Sequence, residues 1–281
     1  MKTLALVAKK DTPQAVELAR EVRVRFPDKT VLAEEHLAKA LGWEVVPDEL
    51  VGSQADLVIV LGGDGTLIHG ARLVKGRPVP ILGVNLGSLG FMTEIPVEDC
   101  FSALEDVLAG QFRTESRLKL LCRLYRKGQV IAEDEVLNDV VINKGALARI
   151  ADHEMSIDGQ YVTTYKADGV IISTPTGSTA YSLSAGGPIV HPAVDGMIVT
   201  PICSHALTQR PLVIPGEKVI TIDMTRGVED VYVTLDGKSG YPMQPNDRVE
   251  VMRSPNRAFL IRNPKMGYFS ILRQKLRWGE R

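Results

Sequence analysis

The chain has 281 residues, room for one large domain or two ordinary ones. Apolar residues make up 44% and charged residues 24%, enough to bury a core without disulfide staples. The net charge of -1 leaves no basic excess to attract nucleic acid, and no apolar run is long enough for a membrane span. Cys100, Cys122 and Cys203 are scattered and form no Cys-x-x-Cys pair, which argues against a disulfide framework or a structural zinc site and fits a reducing, cytoplasmic setting.

The short apolar run Leu4 to Ala8 is too brief for a signal peptide and reads as a first strand. Gln14 to Arg25 sets Val16, Leu18, Ala19, Val22 and Val24 among charges, as a helix does, and Glu34 to Leu41 is a second helical piece. Ala55 to Leu61 is almost wholly apolar, the mark of a strand buried on both faces. A helix is expected from Thr66 to Lys75, a buried strand from Pro80 to Val84, and a helix from Val97 to Leu108 with Gly110 just past its end. This alternation predicts an α/β domain with an open parallel sheet over residues 1–116.

The pattern changes near Arg117. Leu118 to Tyr125 and Val130 to Glu135 flank Arg126-Lys127-Gly128-Gln129, a hairpin signal, and Glu154 to Ile157 and Tyr161 to Tyr165 flank Asp158-Gly159-Gln160, a stronger one. Lys218 to Met224, Asp230 to Leu235 and Arg248 to Arg253 follow as further strands. Residues 117–260 are therefore expected to form a mainly antiparallel β domain, with 261–281 packing back on the first. The basic residues Arg273, Lys275, Arg277 and Arg281 read as a solvated helix face.

Three segments carry the chemistry. Gly62-Gly63-Asp64-Gly65-Thr66 follows a buried strand directly and opens a helix. Adjacent glycines let the backbone approach a phosphate, and a helix N-terminus offers free N–H groups and positive partial charge. A carboxylate in an anion cradle needs a reason: Asp64 would hold a metal ion or accept a proton from an attacking hydroxyl. The competing reading makes Asp64 an ordinary helix cap. The second loop, Asn85 to Phe91, follows the next strand, so both loops are expected at one sheet edge. The third runs from Tyr165 to Pro188, and nine of its eleven residues from Thr174 to Ser184 are small, hydroxylic or turn-forming. Its hydroxyls and free N–H groups suit a sugar and a base edge.

Together with Leu137 to Val141 and His205 to Pro215, these segments resemble the NAD kinase family over most of the chain. The first motif is shared with diacylglycerol and sphingosine kinases, and in a close variant with 6-phosphofructokinases; Thr176 to Ser182 is far more specific. The resemblance implies phosphoryl transfer from ATP, or another phosphate donor, to the 2′-hydroxyl of the adenosine ribose of NAD. Asp64 would be the general base and Gly65 would contact the dinucleotide beside it. Asn138 and Asp139 would bind NAD, an Asn amide being able to match an adenine edge. Asp139 stands where many members carry Glu, one methylene longer. Thr179, Ala180, Tyr181, Ser182, Leu183 and Ser184 would line the adenine and ribose pocket, with Asp168 near the nicotinamide half. Arg149 and Lys166 would hold the pyrophosphate or new phosphate, and His69, Cys203 and Lys238 are positional candidates.

The resemblance further implies magnesium with the donor phosphates and a homo-oligomer, dimer or tetramer, with sites completed near subunit contacts. No dedicated metal cage is visible, and His36, His153, His191 and His205 lack metal-ligand spacing and are expected to be satisfied structural residues. Two rival readings remain: a lipid kinase of the diacylglycerol type, and a dinucleotide sensor without turnover. The Thr176 to Ser184 segment argues against the first and Asp64 against the second.

Overall fold

The computed structural model describes residues 1–145, 151–206, 208–226 and 230–279. The chain divides into two compact units, residues 1–116 with the chain from Ala258 onward, and Arg117–Arg257.

The first unit begins with β1 (Thr3–Ala8), α1 (Pro13–Arg25), β2 (Thr30–Ala33), α2 (Glu35–Leu41) and α3 (Asp48–Gln54). It continues with β3 (Leu57–Gly62), α4 (Asp64–Leu73), β4 (Pro80–Asn85), β5 (Ile95–Pro96) and α5 (Cys100–Leu108). The strands pair in parallel in the order β2-β1-β3-β4-β5. Every residue of β3 is buried, which is why its sequence is a continuous apolar run rather than an alternation. On α1, Ala15, Leu18, Ala19 and Val22 form the inward stripe, while Val24 is exposed. Each Leu or Val so buried contributes about 1.5–3 kcal/mol relative to exposure. Pro13 opens α1, where its missing N–H costs nothing, and Gly42 in the left-handed region (φ 69°) ends α2. Because all strands run the same way, Lys9, Glu34, Gly63 and Leu86 leave the sheet at one edge.

The second unit contains β6 (Thr114–Arg126), β7 (Gln129–Val136), β8 (Asp139–Lys144), β9 (Ala151–Ile157), β10 (Gln160–Ala167) and β11 (Gly169–Ser173). After the short helix α6 (Tyr181–Ser184) come β12 (Gly196–Ile202), β13 (Leu212–Pro215), β14 (Ile220–Arg226), β15 (Val231–Leu235), β16 (Ser239–Pro242) and β17 (Arg248–Ile261). β6 enters from the first unit and β17 returns to it. One antiparallel sheet has the order β13-β12-β11-β8-β15-β16. A second run pairs β10-β9-β14-β17, and β6 pairs β7. Both sequence-marked turns have positive φ at their two central residues, Lys127 (51°) with Gly128 (78°) and Asp158 (49°) with Gly159 (77°). That backbone matches the right-handed twist of the strands it joins. The core is Val, Ile, Leu and Met from both sheets.

Two local expectations change. The helix after the glycine turn starts at Asp64 rather than near Thr66, with Gly63 as its cap, so Asp64 is the first helical residue and not the cap. His153 is a poorly satisfied residue: it is fully buried, and its ring makes no hydrogen bond of good geometry, only a weak contact with the Ala167 backbone. It lies two residues before Met155 and opposite Tyr165 and Met224, on the core face of β9.

Back in the first unit, Phe259 and Leu260 pair with Pro80 and Ile81, and α7 (Tyr268–Leu276) closes the described chain. The Arg262 guanidinium meets the buried Glu94 at 2.9 Å, and Lys275 lies over the Phe91 ring at 5.7 Å. Among the described residues no helix is long and apolar enough to cross a membrane.

Candidate active site

The glycine turn lies at the shared strand edge of the first unit. Gly62 is required by its neighbours: a Cβ there would come within 2.5 Å of Thr66 Oγ1. Gly63 and Gly65 differ, because among the described residues nothing beyond their immediate chain neighbours and the helix backbone lies within 4 Å of where their Cβ would be. No described residue crowds those two positions, so they leave the backbone open for a ligand to approach the first turn of α4. The Thr66 N–H bonds the Gly63 carbonyl at 2.9 Å, while the N–H groups of Asp64 and Gly65, at the first two helical positions, precede any intrahelical acceptor and favour negative charge.

Asp64 points into the second glycine loop. Its Oδ2 accepts the Phe91 N–H at 2.8 Å. Its Oδ1 accepts the Met92 N–H at 3.0 Å, the Thr93 N–H at 3.1 Å and the Thr93 hydroxyl at 3.2 Å. Oδ1 is thus saturated, whereas Oδ2 retains acceptor capacity. Asn85 shapes the same loop, accepting the Gly87 N–H and donating to the Ser88 carbonyl.

His69, further along α4, does not join Asp64. Its Nε2 lies 2.6 Å from Glu34 Oε2, and the buried Glu34 also accepts the Ala8 N–H at 2.8 Å. Glu34, Asp48 and His69 are the one group among the described residues whose ligand atoms, all within 4.8 Å, could hold a metal ion. Glu34 is engaged as stated, and Asp48 caps α2 by accepting the Glu35 N–H.

In the second unit, Asn138, Asp139, Ala180 and Tyr181 line one hollow of about 300 Å³ together with Val141, Asn143, Thr234, Asp236 and Gly237. Asn138 Oδ1 is buried and lacks any hydrogen-bond partner, a cost the fold carries unless a ligand donor meets it. Burial and the charge of Asp236 push the Asp139 carboxyl up to about 7. The backbone beneath is locked: Thr174 Oγ1 donates to the Leu137 carbonyl and Thr174 N–H to the Asn138 carbonyl. Gly177 packs so close that a Cβ would stand 2.2 Å from the Asn138 oxygen. Arg117, also buried, reaches Thr176 Oγ1 at 3.5 Å.

The other residues of the hydroxyl-rich segment divide. Ser182 turns inward to Thr200, 2.9 Å between hydroxyls, and Thr179 donates to the Thr176 carbonyl. Leu183 and Ser184 share α6 with Tyr181 but do not line the hollow. Asp168 and Cys203 stand at the far end of the sheet: Asp168 N–H bonds Ile202, its carboxylate lies 3.5 Å from Lys144 Nζ, and Gly169 pairs with Asn143. Asp139 and Asn143 are four residues apart on β8, roughly 14 Å at strand rise. Lys166 accepts the His205 N–H with its carbonyl, and Lys238 closes the β15–β16 turn through its N–H. Neither side chain lines the hollow. Arg149 lies outside the described residues.

Asp236, Thr234 and Arg117 were not singled out by sequence. The dipeptide Asp236-Gly237 is a hairpin signal, but nothing local ties it to Asn138.

Residues 4–112 match the family model described as the ATP-NAD kinase N-terminal domain, and residues 137–263 match the ATP-NAD kinase C-terminal domain. Proteins named NAD kinase from Geotalea daltonii and Geobacter sulfurreducens are 50% and 48% identical to this chain, with all of both chains covered. The crystal structure of yeast NADH kinase complexed with NADH superimposes with a TM-score of 0.93 at 26% identity, covering 100% of this chain and 89% of that one. A structure of an NAD kinase from Archaeoglobus fulgidus in complex with ATP gives 0.77 at 25% identity, with 98% of each chain covered. Neither the lipid-kinase nor the sensor reading gains support from these likenesses. Matched in both halves, and half identical to a relative along its entire length, the chain belongs to the NAD kinase family.

Proposed function

We propose that this NAD kinase takes ATP as donor and phosphorylates the 2′-hydroxyl of the adenosine ribose of NAD, with Asp64 as the base at that hydroxyl. The observation that carries the assignment is the Asp64 carboxylate itself. Four hydrogen bonds fix it beside the open glycine turn, and Oδ2 keeps acceptor capacity for an incoming hydroxyl. Phosphoryl transfer passes through a loose transition state, so the protein's work is positioning and charge neutralisation. Aspartate is intrinsically a weak base near neutral pH, and its contribution comes from a direct hydrogen bond and late proton transfer.

The hollow of the second unit is read as the adenine and ribose site. Asn138 Oδ1 would accept from the exocyclic amine of adenine, and Asp139 would meet a ribose hydroxyl. Thr179 and Tyr181 border the same ligand in this reading, and Lys166, with Arg149, would meet its phosphates. Magnesium accompanies the donor triphosphate and neutralises its charge. It rarely uses an all-protein cage, and the mixed Glu34, Asp48 and His69 group, already bonded internally, does not supply one. Asp64 is the carboxylate of the cradle.

A homo-oligomer, dimer or tetramer, in the cytoplasm belongs to the same proposal. The test is incubation with NAD, ATP and magnesium, coupled to an NADP-specific dehydrogenase. NADP should form in step with ADP; ADP release without NADP would overturn the acceptor.

A further inference from the structure

Asn138 and Asp139 sit at the entry to β8, where a chain would ordinarily be loose. Their backbone is instead gripped by one carboxylate from a distant turn. Asp236 Oδ2 accepts the Leu137 N–H at 2.9 Å, and Oδ1 accepts the Asn138 and Asp139 N–H groups at 2.8 and 3.2 Å. The Asp236 N–H donates back to the Asp139 carbonyl at 3.0 Å. Three consecutive N–H groups converge on a single side chain 97 to 99 residues away.

The turn is built for this task. Asp236 (φ 50°) and Gly237 (φ 66°) both hold the left-handed backbone, and the Lys238 N–H closes the turn on the Leu235 carbonyl. Asn and Asp are the non-glycine residues that tolerate that conformation best. Asparagine would satisfy the turn equally well but would present an amide donor to one of the N–H groups. Only a carboxylate accepts from all three. The grip fixes the backbone that carries Asn138, whose Oδ1 is buried without a partner.

We propose that Asp236 is a positioning residue for dinucleotide recognition, holding Asn138 and Asp139 in register for the ligand without touching the reacting atoms. This rests on the reading of the hollow as the NAD site. Loss of the carboxylate releases the two recognition side chains and weakens NAD binding, leaving the Asp64 cradle and donor binding as they were.

The experiment compares wild type, Asp236→Asn, Asp236→Gly and Asn138→Ala by steady-state kinetics with NAD and ATP varied separately. Circular dichroism monitors folding. Gly keeps the left-handed backbone at no steric cost, so it serves if the Asn variant does not fold. The expected result for either variant is a KM for NAD raised about tenfold, with kcat and the KM for ATP within about twofold of wild type. A purely structural role would lower kcat and active fraction and leave the NAD KM alone. An unchanged NAD KM in folded Asp236 variants, with a raised KM in Asn138→Ala, overturns the positioning role alone. An unchanged NAD KM in Asn138→Ala overturns the reading of the hollow, and this inference with it.

Discussion

A Cβ on Gly90 would stand 2.2 Å from Asp64 Oδ1 and 2.3 Å from Thr93 Oγ1. The glycine at position 90 is therefore part of the seat of Asp64, 26 residues earlier in the chain. The two glycine loops are one device: the first opens a cradle, and the second receives the carboxylate that works in it.

Gly90→Ala should displace the Asp64 carboxylate. A shift of about 1 Å in a reacting group costs on the order of 100-fold in rate. The expected outcome is a kcat reduced about 100-fold, with the NAD KM within a few-fold of wild type, read by the coupled assay. Thr93→Val removes one of four hydrogen bonds to Asp64 and should cost only about fivefold, near 1 kcal/mol.

Asp64→Asn keeps the shape of the side chain but cannot take a proton, and its amide sets a donor against one of the N–H groups that now bond the carboxylate. Turnover should fall by at least about 100-fold, within the usual range for a general base, while NAD still binds by calorimetry. Near-normal turnover would remove Asp64 from the role of base.

Asp139 makes the apoprotein sensitive to alkali. Its carboxyl is pushed up to about 7 from 3.8, so between those values the folded protein holds a proton that the unfolded chain has lost. Its stabilising contribution is complete below about pH 4 and is lost as pH rises through about 7. Asp139→Asn should flatten the dependence of the unfolding temperature on pH between 5 and 8 and raise the NAD KM about tenfold at pH 8. Thermal scans that stay parallel between the two proteins would contradict the first expectation.

His153 acts in the opposite direction. Burial lowers it to about 4 from 6.5, so its neutral form is favoured by folding. That contribution is present above about pH 6.5 and is lost as pH falls through about 4, amounting to about 3 kcal/mol by linkage. His153→Leu should resist acid unfolding between pH 4 and 6 without changing NAD or ATP KM. An equal acid midpoint for both proteins in denaturant titrations would count against it.

Much of this molecule was legible in short stretches of chain. The apolar run into Leu61 marked a parallel strand, and the Lys127-Gly128 and Asp158-Gly159 pairs marked hairpins. Periodicity and backbone dihedrals are local, so a few residues suffice to read them. The glycines of Gly62 to Thr66 pointed to phosphate chemistry for the same reason, and the order of the later motifs pointed to NAD.

What the chain alone did not settle is where side chains end up. Asp64 bonds to backbone groups 27 to 29 residues away, and Asp236 to groups 97 to 99 residues away. Ser182 turns into the core toward Thr200, although it belongs to the same small-residue segment as Ala180 and Tyr181, which face the hollow. Asp168 falls at the opposite end of β8 from Asp139 because antiparallel pairing with β11 sets Gly169 beside Asn143 and Ser173 beside Asp139. Sequence determined the strands, the turns and the kind of chemistry, through forces acting over a few residues. Sheet register and loop docking, which follow from the packing of distant segments, decided which of the candidate residues share a site.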